Sequence, residues 1–207
     1  MATMESQIIL ITDWLGTGAL DLFGRPFAGK DTQADLLAEL FHGVVIGGGD
    51  ILRSQPIPPE IQKDMDSGTL IPTNYYLSVM VPYLSQPSLA GTPLLFSSVG
   101  RWHGEEPGII EGAEQSGHPL KAVINLELSA DAVRQRYEES KLLQDRGERA
   151  DDSPEVIENR LAEYQNKTEP VLQFYRDKGL LIEVDGTKSR EVVTQEILDS
   201  LARLATN

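Results

Sequence analysis

The sequence predicts an α/β fold, a parallel sheet with helices on both faces. Two observations predict it. Short apolar segments alternate with helical stripes along the chain, the pattern of buried parallel strands joined by helices. The first such segment also runs through a glycine-bearing turn, Gly24-Arg25-Pro26-Phe27-Ala28-Gly29-Lys30, straight into a helical stripe. That is the strand–turn–helix setting of a phosphate-binding loop.

Taken in order, Ile8, Ile11 and Leu15 have helical spacing ahead of Gly16 and Gly18. A short helix is expected there, although the β-branched run also allows a strand. Ala19–Phe23 alternates apolar and polar and reads as the first strand. Apolar Ala34, Leu36, Leu37, Leu40 and Phe41 mark the following helix. Val44–Ile46 is a second strand, ending in Gly47-Gly48-Gly49. Residues 50–88 alternate short helical pieces with Pro56, Pro58, Pro59, Pro72 and Pro82, as a small helical insertion does. Pro93–Phe96 and Ala122–Leu126 are the third and fourth strands. A charged helix is expected over Ala130–Leu143. A long one should follow from Ser153, a good N-cap with Pro154 after it, to Lys178, with Gly179 as its stop. Leu180–Val184 is the fifth strand and Arg190–Leu204 the last helix.

The chain has 207 residues, enough for one α/β domain, and a net charge of −14. That balance argues against nucleic-acid binding, which needs a basic face. The absence of cysteine excludes disulfides and thiolate zinc sites and suits a reducing, cytoplasmic setting. No apolar run reaches the roughly 18 residues of a membrane span. His42, His103 and His118 share no metal spacing.

In the phosphate loop, the amides around Gly29 to Thr32 should face an anion at the helix N-terminus, and Lys30 should reach the β- and γ-phosphates. Gly24 is expected to let the chain leave the strand in a conformation that a side chain hinders. The usual loop has Ser or Thr directly after the lysine, to hold Mg²⁺. Here Asp31 stands in that place and Thr32 comes one residue later.

Further segments follow in a telling order: Gly49-Asp50-Ile51-Leu52-Arg53, Gly68-Thr69-Leu70-Ile71-Pro72, Gly100-Arg101, Arg149-Ala150-Asp151-Asp152, and Arg160. With the phosphate loop first, the chain resembles the adenylate kinase family of nucleoside monophosphate kinases from about Ala19 to Leu204. The resemblance implies a three-layer P-loop kinase fold with a central five-stranded parallel sheet. It places a monophosphate-binding insertion at about 48–88 and a short lid at about 137–151, leaving residues 1–18 as an N-terminal extension. It implies transfer of the γ-phosphoryl group of ATP to a nucleoside monophosphate, AMP first, by a monomeric Mg²⁺-dependent enzyme. The resemblance gives Gly24, Ala28, Gly29, Lys30, Asp31 and Thr32 to the ATP phosphates. Gly48, Arg53, Leu70, Gly100, Arg101 and Glu105 fall to the monophosphate, and Arg149 and Arg160 to the transferring group. Arg146 is a further lid candidate.

Four places depart from the family pattern. Phe27 replaces a glycine in the loop. Ser97-Ser98 stands where the family has Asp-Gly, whose aspartate helps hold the Mg²⁺ shell. Glu105 or Glu106 lies where a glutamine reads adenine, and Gly48 replaces a threonine. Asp31 is therefore a candidate for restoring the missing carboxylate, through water. The alternative is that it only favours the helix N-terminus. A binding protein with little turnover, or a kinase of the same fold with another acceptor, are the competing functions.

Overall fold

A computed structural model describes residues 3–143 and 153–206. Five parallel strands, β1 (Ala19–Gly24), β2 (Val44–Gly47), β3 (Leu94–Ser97), β4 (Leu120–Glu127) and β5 (Leu181–Asp185), form one sheet in the order β2-β3-β1-β4-β5. From the central β1 the chain crosses to the edge strand β2, returns to place β3 between them, and then adds β4 and β5 on the other side, so β1, β2 and β3 lie beside one another with their ends on the same side of the sheet.

One face of the sheet is covered by α1 (Met4–Leu15), α2 (Lys30–Phe41) and α10 (Arg190–Ala205), whose Ile11, Leu37 and Leu198 pack with Leu20 and Leu22 of β1. The opposite face carries α5 (Thr73–Leu84), α6 (Glu106–Gln115) and α9 (Glu169–Asp177). Between β2 and β3 the chain also forms α3 (Gly48–Arg53) and α4 (Pro59–Asp66), while α7 (Ala130–Leu143) and α8 (Pro154–Glu163) lead into and out of residues 144–152. No helix among the described residues is long and apolar enough to cross a membrane.

The N-terminal segment is helical, with Thr3 capping it through Ser6 N and Gly16 ending it. It is built into the main core through Ile11 and Leu15, both almost fully buried. Ser153 caps α8 as expected, accepting from Val156 N. The single long helix expected over 153–178 is interrupted by a π turn, Tyr164–Thr168. Pro170 lies just beyond; it has no N–H for the carbonyl four residues back, and the wider turn precedes it.

The alternation of β1 has a different origin from the one the sequence suggested. All six residues are buried, Asp21 included. The strand has no wet face, and its one carboxyl lies inside the protein.

Candidate active site

The phosphate loop leaves β1 at Gly24. Its glycine is required by close approach: a Cβ there would lie 2.9 Å from the Ala28 methyl and 3.1 Å from Leu126 O. The left-handed conformation instead falls at Phe27 (φ 62°) and Gly29 (φ 92°). Gly29 then starts α2, whose first-turn amides face the end of the loop.

Phe27 is costly in that conformation, by about 1–2 kcal/mol for a residue with a Cβ. Burial compensates. Its ring meets Tyr137 of α7 edge-on at 5.8 Å, and its carbonyl accepts from Arg136 Nη1 at 3.0 Å. The loop is thereby fastened to α7. Phe27→Ala and Phe27→Gly both lose this packing, but only glycine relieves the backbone. The glycine variant should unfold at higher urea than the alanine variant, by about 1 kcal/mol. An alanine variant as stable as the glycine variant would contradict the strain.

The ends of β1, β2 and β3 open into a cleft of about 340 Å³. Of the residues singled out in the sequence, Gly24, Lys30, Asp31, Gly48, Arg53, Leu70, Arg101, Glu105 and Arg160 line it. Ala28 and Gly29 form the loop behind it, Thr32 lies half-buried in the first turn of α2, and Gly100 is buried under Arg101. Arg146, Arg149, Asp151 and Asp152 lie outside the described residues. Trp102 and His103 do not line the cleft. Lys167 Nζ sits 3.8 Å from the Trp102 ring centroid, and His103 Nδ1 is 2.7 Å from the buried Glu106.

Asp31 and Ser97, from α2 and β3, meet: Ser97 Oγ donates to Asp31 Oδ1. Lys30 Nζ stands 3.7 Å from the other carboxylate oxygen. A carboxylate beside a hydroxyl, open to a phosphate-loop cleft, is a hard-oxygen donor set that fits Mg²⁺, which keeps several waters and needs one or two carboxylates.

On the other side of the cleft, Arg53 pairs with Asp50 at 2.6 Å, both half-exposed or more. Arg101 is exposed in the cleft, yet the protein around it still withholds part of its hydration. That desolvation lowers its pKa, Tyr76 opposes this, and Arg160 adds to it by like-charge repulsion. The two arginines thus lie close enough to feel one another. The wall at Gly68–Leu70 rests on α8: Asn159 Nδ2 donates to Ser67 O at 2.7 Å, and Leu70 N donates to Glu163 Oε2 at 2.8 Å. Gly68 is left-handed (φ 77°), and a Cβ there would lie 2.9 Å from Arg160 Cγ. Only glycine meets both demands, so the wall and the arginine-bearing helix stay in register.

Glu105 is almost fully buried and accepts from Trp102 N at 3.0 Å. Burial pushes its carboxyl up to about 7, against the pull of that amide and of Arg101. The folded protein therefore holds this proton more tightly than the unfolded chain. Its contribution to stability is full below the ordinary 4.5 and is lost as pH rises through about 7. Between pH 4.5 and 8, the stability of Glu105→Gln should gain on wild type by on the order of 2–3 kcal/mol in urea unfolding. A constant difference between the two across that range would contradict the buried carboxyl.

Nothing in the sequence singled out Tyr76, Glu163 and Tyr164, which also line the cleft. Their positions on helices facing the sheet give no local motif. Only Glu163, three residues beyond Arg160 and so on the same helix face, had a spacing that could have flagged it.

A parallel sheet with a phosphate loop at its central strand, and lysine and arginines converging in one cleft, defines a P-loop phosphotransferase. A sequence model of the adenylate kinase family ("Adenylate kinase") matches residues 22–180. Adenylate kinase 1 of Nostoc sp. is 33% identical over 187 residues, covering 88% of this chain and 97% of that protein. Adenylate kinase of Chelativorans sp. is 34% identical over 195 residues, covering 89% and 98%. Adenylate kinase of Methanocella arvoryzae is 29% identical over 213 residues, again covering 89% and 98%. The chain belongs to the adenylate kinase family, and is an ATP-dependent phosphotransferase of the nucleoside monophosphate kinase class.

Proposed function

We propose that the protein transfers the γ-phosphoryl group of ATP reversibly to AMP, with both nucleotides held in the one cleft. The observation that carries this is the convergence of Lys30, Arg53, Arg101 and Arg160 along the ends of β1–β3. Phosphoryl transfer spreads charge over the equatorial oxygens in a loose transition state, so the protein supplies alignment and positive charge. Lys30 and the amides that open α2 take the donor phosphates. Arg53 and Arg101 grip the monophosphate, whose oxygen is already anionic and needs no general base. Arg160, with Arg149, bridges the transferring group. Guanidinium forks suit this because they stay ionised and bind phosphate oxygens in pairs.

Mg²⁺ bound with ATP neutralises phosphate charge. Asp31, steadied by Ser97, is the residue we assign to its water shell. Residues 48–88 form the acceptor insertion, and about 137–151 the lid that excludes water. Both halves of the cleft come from one chain, which supports a monomer as the active unit. A coupled assay of ATP and Mg²⁺ against AMP, CMP, UMP, GMP and the deoxynucleotides tests the reading. AMP is expected to give the highest kcat/KM. Nucleotide binding without turnover of any acceptor would favour a binding protein instead.

A further inference from the structure

Between Ser97 and Arg101 the chain makes a turn in which both Ser98 (φ 55°) and Gly100 (φ 74°) are left-handed. Ser98 is strained there, so the turn keeps its shape only because its surroundings hold it. Three successive amides are each taken up. Ser98 N donates to Leu22 O at 2.9 Å, Val99 N to Asp21 Oδ1 at 3.3 Å, and Gly100 N to the Tyr76 hydroxyl at 3.2 Å. The far end is tied down as well, because Thr168 Oγ1 donates to Arg101 O at 2.9 Å.

Two of these acceptors are costly choices. Asp21 is 0% exposed in the central strand, between Leu20 and Leu22, and its Oδ2 has no hydrogen-bond partner. A buried carboxyl there is less stable than an apolar side chain. Tyr76 brings its hydroxyl against the end of β2, where a Cβ on Gly48 would lie 2.5 Å from the oxygen. That position carries no side chain, and the phenol fills its space. Both groups reach adjacent amides of the one turn that presents Arg101 to the cleft, from two different elements.

We propose that Asp21 and Tyr76 are positioning residues that fix the Ser97–Arg101 turn and so aim Arg101 at the acceptor phosphate. Tyr76 sits on α5, within the insertion that walls the acceptor side. Its hydroxyl therefore sets Arg101 in register with that wall, while Asp21 anchors the turn to β1. Burial raises the pKa of the Asp21 carboxyl well above its ordinary value, which disfavours the charged form. Asparagine is therefore its conservative replacement, with an amide oxygen in place of Oδ1.

This inference rests on the assignment of Arg101 to the acceptor, so Arg101→Ala is the reference. Asp21→Leu, Asp21→Asn and Tyr76→Phe are compared with it by Michaelis constants for both nucleotides and by urea unfolding. Asp21→Leu should resist urea at least as well as wild type. It should raise KM for the monophosphate about tenfold and leave KM for ATP within about twofold, because a misaimed arginine loses alignment without loss of fold. Asp21→Asn should restore wild-type constants, and Tyr76→Phe should shift the same constant in the same direction. If Arg101→Ala raises acceptor KM but Asp21→Leu and Tyr76→Phe do not, the positioning role is wrong. The same follows if Asp21→Leu weakens the fold and raises both constants together, or if Asp21→Asn behaves like Asp21→Leu. If Arg101→Ala itself leaves acceptor KM unchanged, the assignment of Arg101 falls, whatever the other variants do.

Discussion

Arg160→Ala should lower kcat by about a thousandfold while KM for ATP changes only a few-fold, as steady-state kinetics with saturating AMP will read. Arg160 is half-buried on α8 and opens into the cleft near Arg101. A second guanidinium so near the first is by itself electrostatically unfavourable. An anion between them reverses the sign, and most strongly when charge is spread over the transferring group. The interaction therefore acts mainly in the transition state, which moves kcat rather than KM. Arg160→Lys keeps the charge but loses the planar fork, and should recover only part of the rate. A full recovery by lysine would reduce the role to point charge; an unchanged kcat in the alanine variant would remove Arg160 from the chemistry.

The second large effect concerns Asp31. Asp31→Asn should lower kcat by about 10- to 100-fold and raise the Mg²⁺ concentration needed for half-activity, the scale expected when a group ordering a metal's surroundings is lost. The geometry offers a stricter test. Ser97 donates to Asp31, so the two side chains occupy adjoining space at the ends of α2 and β3. A carboxylate placed on either should reach the same region. Asp31→Asn/Ser97→Asp should therefore regain much of the lost activity and lower the Mg²⁺ requirement again. If Asp31 only favours the helix N-terminus, asparagine costs about 0.3–1 kcal/mol of stability and nothing in Mg²⁺ dependence. In that case the double variant has nothing to restore.

Much of the fold was legible because its strands are short and apolar, buried along β1 and β3 and half-buried at the sheet's edges. Short apolar runs such as Val44–Ile46 and Ala122–Leu126 read as strands of a packed sheet. The helix α6 was not legible. Pro107, Gly108 and Gly112 make its sequence read as turn. Its glycines serve packing instead: a Cβ on Gly108 would lie 2.9 Å from Leu77 Cδ1, and one on Gly112 would lie 3.1 Å from Val81 Cγ2. Two helices approach closely there, and the stability comes from the tertiary contact rather than from local propensity.

The candidate site divides along the same line. Lys30, Arg53, Arg101 and Arg160 stand in motifs whose spacing follows from the chain's own geometry, and all four reach the cleft. Asp21 and Tyr76 were passed over because their meaning depends on a turn some twenty residues or more away along the chain. The polar residue of β1 reads in the sequence only as part of an apolar–polar alternation, and in the fold it is buried with the rest of the strand. The contact between Asp31 and Ser97 lies between these cases. One unusual residue and one missing carboxylate were visible in the sequence, and only the parallel pairing of β1 with β3 explains why they adjoin.

The proposed reaction passes a phosphoryl group directly between two nucleotides held in one cleft. Incubation of the protein with Mg²⁺, AMP and ATP labelled with ³²P in the γ-phosphate tests it most directly. The label should appear in the β-phosphate of ADP, with no matching release of inorganic phosphate. Label recovered only in inorganic phosphate, or retained wholly in ATP, would contradict it.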